Sequence, residues 1–175
     1  MNQPLSRYVD YMYSYPHKTA YRPFSSPVSL FPYLEQVEGR NASLYFHIPF
    51  CSHKCGYCNL FSLQTNRGEY ITAYLNTLRR QAQQLAPLTT GLAFDSFAIG
   101  GGTPLLLPVP QLEFLLDTAA LFGVHPSNAF TSIETSPEYA DTARLNLLKQ
   151  AGVARVSIGI QSFQDKELIA LNQDP

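Results

Sequence analysis

From residue 43 onward, hydrophobic and polar positions follow two periodicities, one typical of strands and one typical of helices. Short apolar or every-second apolar stretches, typical of strands, cover residues 43–50, 93–100, 130–135 and 154–160. Between them, apolar residues recur every three or four positions, which is typical of helices. One side of the first such segment carries Tyr70, Ile71, Tyr74, Leu75, Leu78, Ala82 and Leu85. The pattern therefore predicts strand–helix units, with helices near residues 70–85, 110–122, 141–150 and 165–172, and the third helix is expected to stop at Gly152, which suits a left-handed cap.

Strands that alternate with helices imply an α/β fold with a parallel sheet. Such units form either an open doubly wound sheet or a barrel, and a complete eight-unit barrel takes about 250 residues. A chain of 175 residues supplies about four units. We therefore expect a partial parallel (β/α) barrel that is truncated in this chain.

The first 42 residues show neither periodicity. They carry several tyrosines among prolines and serines: Tyr8, Tyr11, Tyr13, Tyr15, Tyr21 and Tyr33. We interpret residues 1–42 as an extended, aromatic and proline-rich arm. Packing of these rings on the following domain, residues 43–175, is favoured over direct contact with a substrate.

Composition excludes several classes of partner. Twelve basic and 13 acidic residues give a net charge of −1, so no overall field attracts nucleic acid or an anionic membrane. The apolar runs are too short to span a bilayer, and the polar start MNQPLSRYVD is no secretory signal. We expect a cytoplasmic protein whose partner is recognised through local chemistry.

All three cysteines lie in one short segment, where Cys51, Cys55 and Cys58 form CxxxCxxC directly after the first predicted strand. An odd, clustered set argues against a disulfide framework and for a metal or redox role. Three thiolates reach three corners of an iron–sulfur cube and leave one iron open to a ligand. The alternative is a structural zinc with His53 or His47 as fourth ligand, although His53 lies awkwardly between two cysteines.

Polar or glycine-rich motifs follow the other three strands. GGGTP, residues 100–104, is either a tight turn or a place where the backbone closely approaches a ligand. Glu134 follows the third strand in SIETSP, and Gln161 follows the fourth in GIQSF. Because the carboxyl ends of parallel strands meet at one edge, these groups are expected to share a rim with the cysteines.

Four motifs in this order, YFHIPFCSHKCGYCNLF, IGGGTP, SIETSP and SIGIQSF, resemble the radical S-adenosylmethionine (SAM) superfamily. Within it they are similar to the oxygen-independent coproporphyrinogen III oxidases and a related heme chaperone. The resemblance covers about residues 43–172. It implies an oxidoreductase-like enzyme whose four-iron four-sulfur (4Fe–4S) cluster reductively cleaves SAM to methionine and a 5′-deoxyadenosyl radical. It further implies a tetrapyrrole- or heme-related substrate and an electron donor such as flavodoxin or ferredoxin.

The resemblance also implies a role for each motif residue. The iron ligands are Cys51, Cys55 and Cys58. The SAM contacts are Tyr45 near the cluster or sulfonium, Tyr57 by the adenine, Gly101, Gly102 and Thr103 along the methionine end, Glu134 at its ammonium group, and Gln161 further along. On the residues alone, a structural interpretation is favoured for both Tyr45, as a half-buried strand tyrosine, and Glu134, as a surface carboxylate. His47 has a similar place near the active site in the family, yet a histidine in an alternating strand is more often structural.

Two positions depart from the family pattern. Relatives that decarboxylate coproporphyrinogen carry a further cysteine where this chain has Leu60, and an arginine where it has Gln173. Three functions therefore stay open: a radical SAM enzyme, a heme chaperone or heme-binding protein that retains the cluster, and a non-catalytic zinc-binding α/β module.

Overall fold

The computed structural model describes residues 22–35, 39, 41–58, 60–65 and 67–173. The predicted arm falls largely outside the described residues, and its packing on the domain stays a prediction. Its described part includes a short helix, α1 (Phe31–Glu35), which contacts a 3₁₀ turn at Ala86–Thr89. The backbone N–H of Gly39 donates to the carbonyl of Gly91 at 2.8 Å, so the end of the arm touches the domain.

The described residues form six strands and four further helices. The strands are β1 (Asn41–Ile48), β2 (Phe50–Cys51), β3 (Leu63–Gln64), β4 (Ala93–Gly101), β5 (Phe130–Thr135) and β6 (Arg155–Ile158). The helices are α2 (Gly68–Leu85), α3 (Val109–Ala120), α4 (Thr142–Ala151) and α5 (Asp165–Ala170).

The main sheet has the order β1-β4-β5-β6, and every neighbouring pair is parallel. The predicted α/β fold with a parallel sheet is thereby confirmed. The strands follow one another across the sheet in chain order, as they do in a barrel. A doubly wound sheet would instead reverse direction at a switch point.

The first strand differs from its predicted bounds. It begins two residues earlier, because Asn41 pairs with Ala93 and Ala42 with Phe94 before a bulge. It ends at Ile48, since Pro49 has no N–H to donate to a neighbouring strand. The predicted single strand of residues 43–50 is thus divided into β1 and β2.

One face of the sheet carries the core. Buried apolar side chains from the strands pack with those of α2, α3 and α4: Phe46, Ile48, Phe97, Ile99, Ile133, Ile71, Leu75, Leu112, Leu115 and Leu148. The rings of Phe46 and Phe97 meet edge to face, with centroids 5.1 Å apart. The other face is polar and open, and there the hydroxyls of Ser43 and Ser96 lie 2.6 Å apart. A sheet covered by helices on one face, with a polar second face, is the wall of a partial barrel.

Both ends of α4 are capped, and the left-handed cap predicted at Gly152 is confirmed. Asp141 accepts a hydrogen bond from the backbone N–H of Arg144 at 2.9 Å, and this bond is the main reason that the pKa of Asp141 is lowered. Gly152 ends the helix with φ 88°, in the left-handed region that favours glycine. The chain then turns directly into β6.

Within the described ranges, no helix combines the length and the apolar character needed to cross a bilayer.

Candidate functional site

The cysteine loop runs from β2 to β3, and these two short strands pair with each other outside the main sheet. Phe50 pairs with Leu63 and Cys51 with Gln64. The backbone N–H of Leu63 donates to the carbonyl of Pro49 at 2.6 Å. This short parallel pairing fixes both ends of the loop, and all three of its cysteines are free and partly buried.

The thiols of the loop influence one another. Burial is the largest cause of the raised pKa of Cys51; a hydrogen bond from Thr103 opposes it, and the charges of Cys58 and Cys55 add to it. Three thiolates in this arrangement repel one another unless a positive centre lies among them. A metal centre removes that repulsion, because its charge favours the deprotonated thiol.

Three thiolates with no fourth protein ligand are a donor set that fits a cubic cluster with one open iron. Across the described ranges, no three His, Cys, Asp or Glu side chains converge on one metal ion. Both histidines considered as zinc ligands have other partners: His53 lies 3.2 Å from the Ser52 hydroxyl, and His47 bonds to Tyr45 and to the Phe61 carbonyl.

The glycine run at the end of β4 lies directly against the cysteine loop. The N–H of Gly102 donates to the carbonyl of Ile48 at 2.8 Å, and that of Thr103 to the carbonyl of Phe50 at 2.7 Å. A Cβ on Gly102 would stand 2.5 Å from the Phe50 carbonyl oxygen and 2.7 Å from Cys51 Sγ. Only glycine allows this approach.

Glu134 reaches the glycine run from the end of the neighbouring β5. The backbone N–H of Gly101 donates to its Oε2 at 3.3 Å. A Cβ on Gly100 would lie 2.8 Å from the same oxygen and 3.2 Å from the Tyr45 hydroxyl. The carboxylate and the tyrosine hydroxyl therefore meet at the glycine backbone on the rim.

Tyr45 and His47, on the same face of β1, form a hydrogen-bonded chain. The Tyr45 hydroxyl lies 3.0 Å from His47 Nδ1, and His47 Nε2 lies 3.2 Å from the carbonyl oxygen of Phe61. Because a carbonyl only accepts, Nε2 is the donor to Phe61, and in the neutral ring Nδ1 is then the acceptor of the Tyr45 hydroxyl proton. The pKa of Tyr45 is raised, mainly by burial and then by the charge of Glu134, so this hydroxyl stays a donor.

Tyr57 lies within the cysteine loop, beside Cys55. Burial, followed by the charge of Cys55 and a hydrogen bond with it, raises the pKa of Tyr57 to about 12. The ring is half exposed. It therefore presents a neutral aromatic surface at the rim.

Gln161 lies beyond the end of β6, two strands away from the glycine run. Its backbone has φ 65°, an uncommon value for a residue with a side chain. Its side-chain Nε2 would stand 2.8 Å from a Cβ at Gly159. The amide thus folds back over its own strand end, apart from the contact group formed by Glu134 and Gly101.

The structure brings most of the predicted site residues to one edge of the sheet, and it adds two participants. His47 joins Tyr45 to the cysteine loop, and Gln173 donates to Cys55 Sγ at 3.1 Å. The sequence pattern that could have identified His47 is its position two residues after Tyr45 in the same strand, which places both side chains on one face. The sequence identifies Gln173 only as a departure from the arginine of the relatives, and no local pattern marks its contact with Cys55, which lies 118 residues earlier in the chain.

Comparison with known proteins agrees with this arrangement. Residues 45–174 match the radical SAM superfamily. This chain belongs to the radical SAM superfamily. The resemblance predicted from the four motifs is therefore confirmed, and the motifs that form the rim lie within the matched region.

The radical SAM relatives of this chain include enzymes and a chaperone. An oxygen-independent coproporphyrinogen III oxidase of Synechocystis sp. is 32% identical over 175 residues, covering 98% of this chain and 37% of the relative. The heme chaperone HemW of Bacillus subtilis is 35% identical over 125 residues, covering 70% of this chain and 32% of the relative. The chain thus spans about a third of the length of these radical SAM relatives.

A solved radical SAM structure shares the fold. Coproporphyrinogen III oxidase (HemN) from Escherichia coli superposes with a TM-score of 0.74 at 29% sequence identity. The match covers 82% of this chain and 34% of that one. The predicted partial barrel of the radical SAM type is confirmed by this likeness together with the parallel sheet.

Proposed function

We propose that this chain binds a 4Fe–4S cluster through Cys51, Cys55 and Cys58 and uses it in the reductive cleavage of SAM. One observation carries the proposal. The free thiols lie on a loop pressed against a glycine run, and Glu134 from the next strand bonds to that run. A loop of metal ligands beside an open, glycine-lined rim with one carboxylate suits a cluster and a zwitterionic cosubstrate.

The side chains of the rim have separate tasks in this proposal. Gly101, Gly102 and Thr103 leave backbone groups accessible to the methionine end of SAM, and Glu134 pairs with its ammonium group. Tyr45 stands beside Glu134 and keeps its proton, so it donates without adding charge. When bound, the reduced cluster supplies the electron that breaks the carbon–sulfur bond of SAM.

Tyr57 and Gln161 are placed further along SAM in this proposal. Tyr57 offers its neutral ring to the adenine, and Gln161 offers an amide from the far side of the rim. A flavodoxin- or ferredoxin-like donor would reduce the cluster. The free cysteines suit a reducing compartment such as the cytoplasm.

For the substrate, we propose a tetrapyrrole. Its support comes from the relatives, whose names refer to coproporphyrinogen and heme, and from two rings at the rim. Phe61 follows the cysteine loop and Phe163 follows Gln161, and their side chains are 80% and 90% exposed. Exposed aromatic faces at a site entrance suit a large, flat and mostly apolar ligand.

Replacing Glu134 with glutamine is expected to weaken SAM binding and leave the cluster intact. The change keeps the shape but removes a charge-assisted contact worth about 1.5–3 kcal/mol, which is about a 10- to 150-fold loss of affinity. Calorimetric titration of the cluster-loaded protein with SAM measures it. Glu113→Gln, on the exposed side of α3, is the matched control. Unchanged affinity in Glu134→Gln would remove Glu134 from the site.

A heme chaperone that retains the cluster is the second candidate function, and Leu60 favours it over decarboxylation. The side chain of Leu60 is 51% exposed next to the cysteine loop. An aliphatic group there neither ligates iron nor transfers a proton, as the cysteine of decarboxylating relatives can.

We therefore expect no conversion of coproporphyrinogen III to protoporphyrinogen IX, although SAM cleavage persists. An anaerobic assay with SAM, reductant and coproporphyrinogen III, following porphyrins and 5′-deoxyadenosine together, tests both parts. Loss of two carboxylates as carbon dioxide would establish the decarboxylase instead. Stoichiometric heme binding without porphyrin turnover would establish the chaperone.

A further inference from the structure

The segment after α5, residues 171–173, folds back onto the cysteine loop, and we call it the clasp. The backbone N–H of Gly56 donates to the carbonyl of Leu171 at 2.8 Å. The side-chain amide of Asn172 donates to the carbonyl of Lys54 at 2.9 Å. The clasp therefore holds the backbone of the loop on both sides of Cys55.

The local conformation of the clasp directs Gln173 toward the loop. Asn172 has φ 56°, in the left-handed region that asparagine tolerates better than most residues. This turn ends α5, and the N–H of Gln173 then closes back on the carbonyl of Leu168 at 2.9 Å. The side chain of Gln173 is thereby aimed at the loop by its own backbone.

The amide of Gln173 contacts two atoms of the loop. Its Nε2 lies 3.1 Å from Cys55 Sγ and 3.4 Å from the Tyr57 hydroxyl oxygen. The amide nitrogen carries two hydrogens, one for each partner. A thiolate sulfur accepts but cannot donate, so the nitrogen, and not the amide oxygen, is the end that faces Cys55.

We infer that Gln173 is a positioning residue for the cluster, which fixes the Cys55 thiolate and tunes the cluster's reduction potential through an N–H···S hydrogen bond. The inference rests on the proposed function, because Cys55 is a cluster ligand only there. Reduction adds negative charge that spreads onto the ligand sulfurs, so a donor to sulfur stabilises the reduced form more than the oxidised form. Since a glutamine amide does not titrate, this donor is present at every pH.

The test compares reduction potentials of the anaerobically reconstituted chain and its variants, measured by redox titration with electron paramagnetic resonance. Gln173→Leu removes the donor, and Gln173→Glu replaces it with a negative charge of nearly the same shape. We expect the midpoint potential to become more negative in both, and further in Gln173→Glu. Gln83→Leu and Gln83→Glu, on the exposed side of α2, are the matched controls and should keep the wild-type potential.

A second readout separates tuning from a merely structural role. Loss of the hydrogen bond should shift the iron–thiolate stretching bands in the resonance Raman spectrum of Gln173→Leu. A variant that loses the cluster while its metal-free form unfolds at the wild-type temperature also supports the inference. Wild-type potential and bands in both Gln173 variants would overturn it, and so would loss of the fold in both.

The two proposals fail in different ways. If the unmodified chain takes up no iron and sulfide, the proposed function is wrong and the inference falls with it. If the unmodified chain forms the cluster and the Gln173 variants match it in potential, only the inference is wrong.

Discussion

Cys55→Ala is expected to abolish the cluster. Protein reconstituted without oxygen should be brown and hold about four irons with matching sulfide, and the variant should be colourless. The physical reason is that the chain has three cysteines, all in this loop, so no other thiolate is available to replace Cys55. Iron and sulfide analysis with the visible absorption spectrum measures the loss.

The control for Cys55→Ala is the unfolding of the metal-free proteins. Cys55 is only partly buried, so its truncation should change that stability little. Retention of a full cluster in Cys55→Ala would contradict the ligand assignment. Stoichiometric zinc without sulfide in the unmodified protein, handled without oxygen, would favour the zinc-binding module instead.

Gly102→Ala is also expected to remove most of the cluster, through a steric clash rather than through loss of an iron ligand. Its added methyl would stand 2.5 Å from the Phe50 carbonyl oxygen and 2.7 Å from Cys51 Sγ, far inside contact distance. Overpacking of this kind costs about 1–3 kcal/mol in unfolding free energy. Because the displaced atoms carry one ligand, we also expect most of the cluster to be lost. Denaturant unfolding and iron content measure the two effects.

Gly68→Ala is the matched control for Gly102→Ala. Gly68 begins α2, and nothing lies within 4 Å of a Cβ placed there. This variant should keep both its stability and its iron. A Gly102→Ala protein with wild-type iron content would show that the glycine run does not need to touch the cysteine loop.

Much of the fold could be predicted from the sequence because its elements are set by local periodicity. The spacing of Ile71, Leu75 and Leu78 identified the buried side of α2, and Gly152 identified the end of α4. The start of β1 could not be predicted, since Asn41 and Ala42 are held only by pairing with residues more than 50 positions later. Tyr70 lies on the predicted apolar side of α2 yet is half exposed, with the guanidinium of Arg67 above its ring.

The candidate site, like the fold, could be predicted only in part. Cysteine spacing and a glycine run are sequence patterns, so the ligands and the surface against them could be named in advance. The bond from Gln173 to Cys55 and the bond from His47 to the Phe61 carbonyl depend on how strand ends and loops meet. Such contacts join residues that are distant in the sequence, so no local sequence pattern predicts them.

The clasp also sets an order of events during synthesis. Gln173 follows Cys55 by 118 residues, so at about 5–20 residues per second it emerges from the ribosome about 6–24 s later. In that interval the loop has all its thiols but neither its clasp nor the later strands that complete the rim. A nascent chain is therefore able to offer three cysteines to oxidants and foreign metals before it can hold a cluster in its final geometry. Under the proposed function, a cluster reaches its final hydrogen-bonded geometry only after residue 173 has been synthesised.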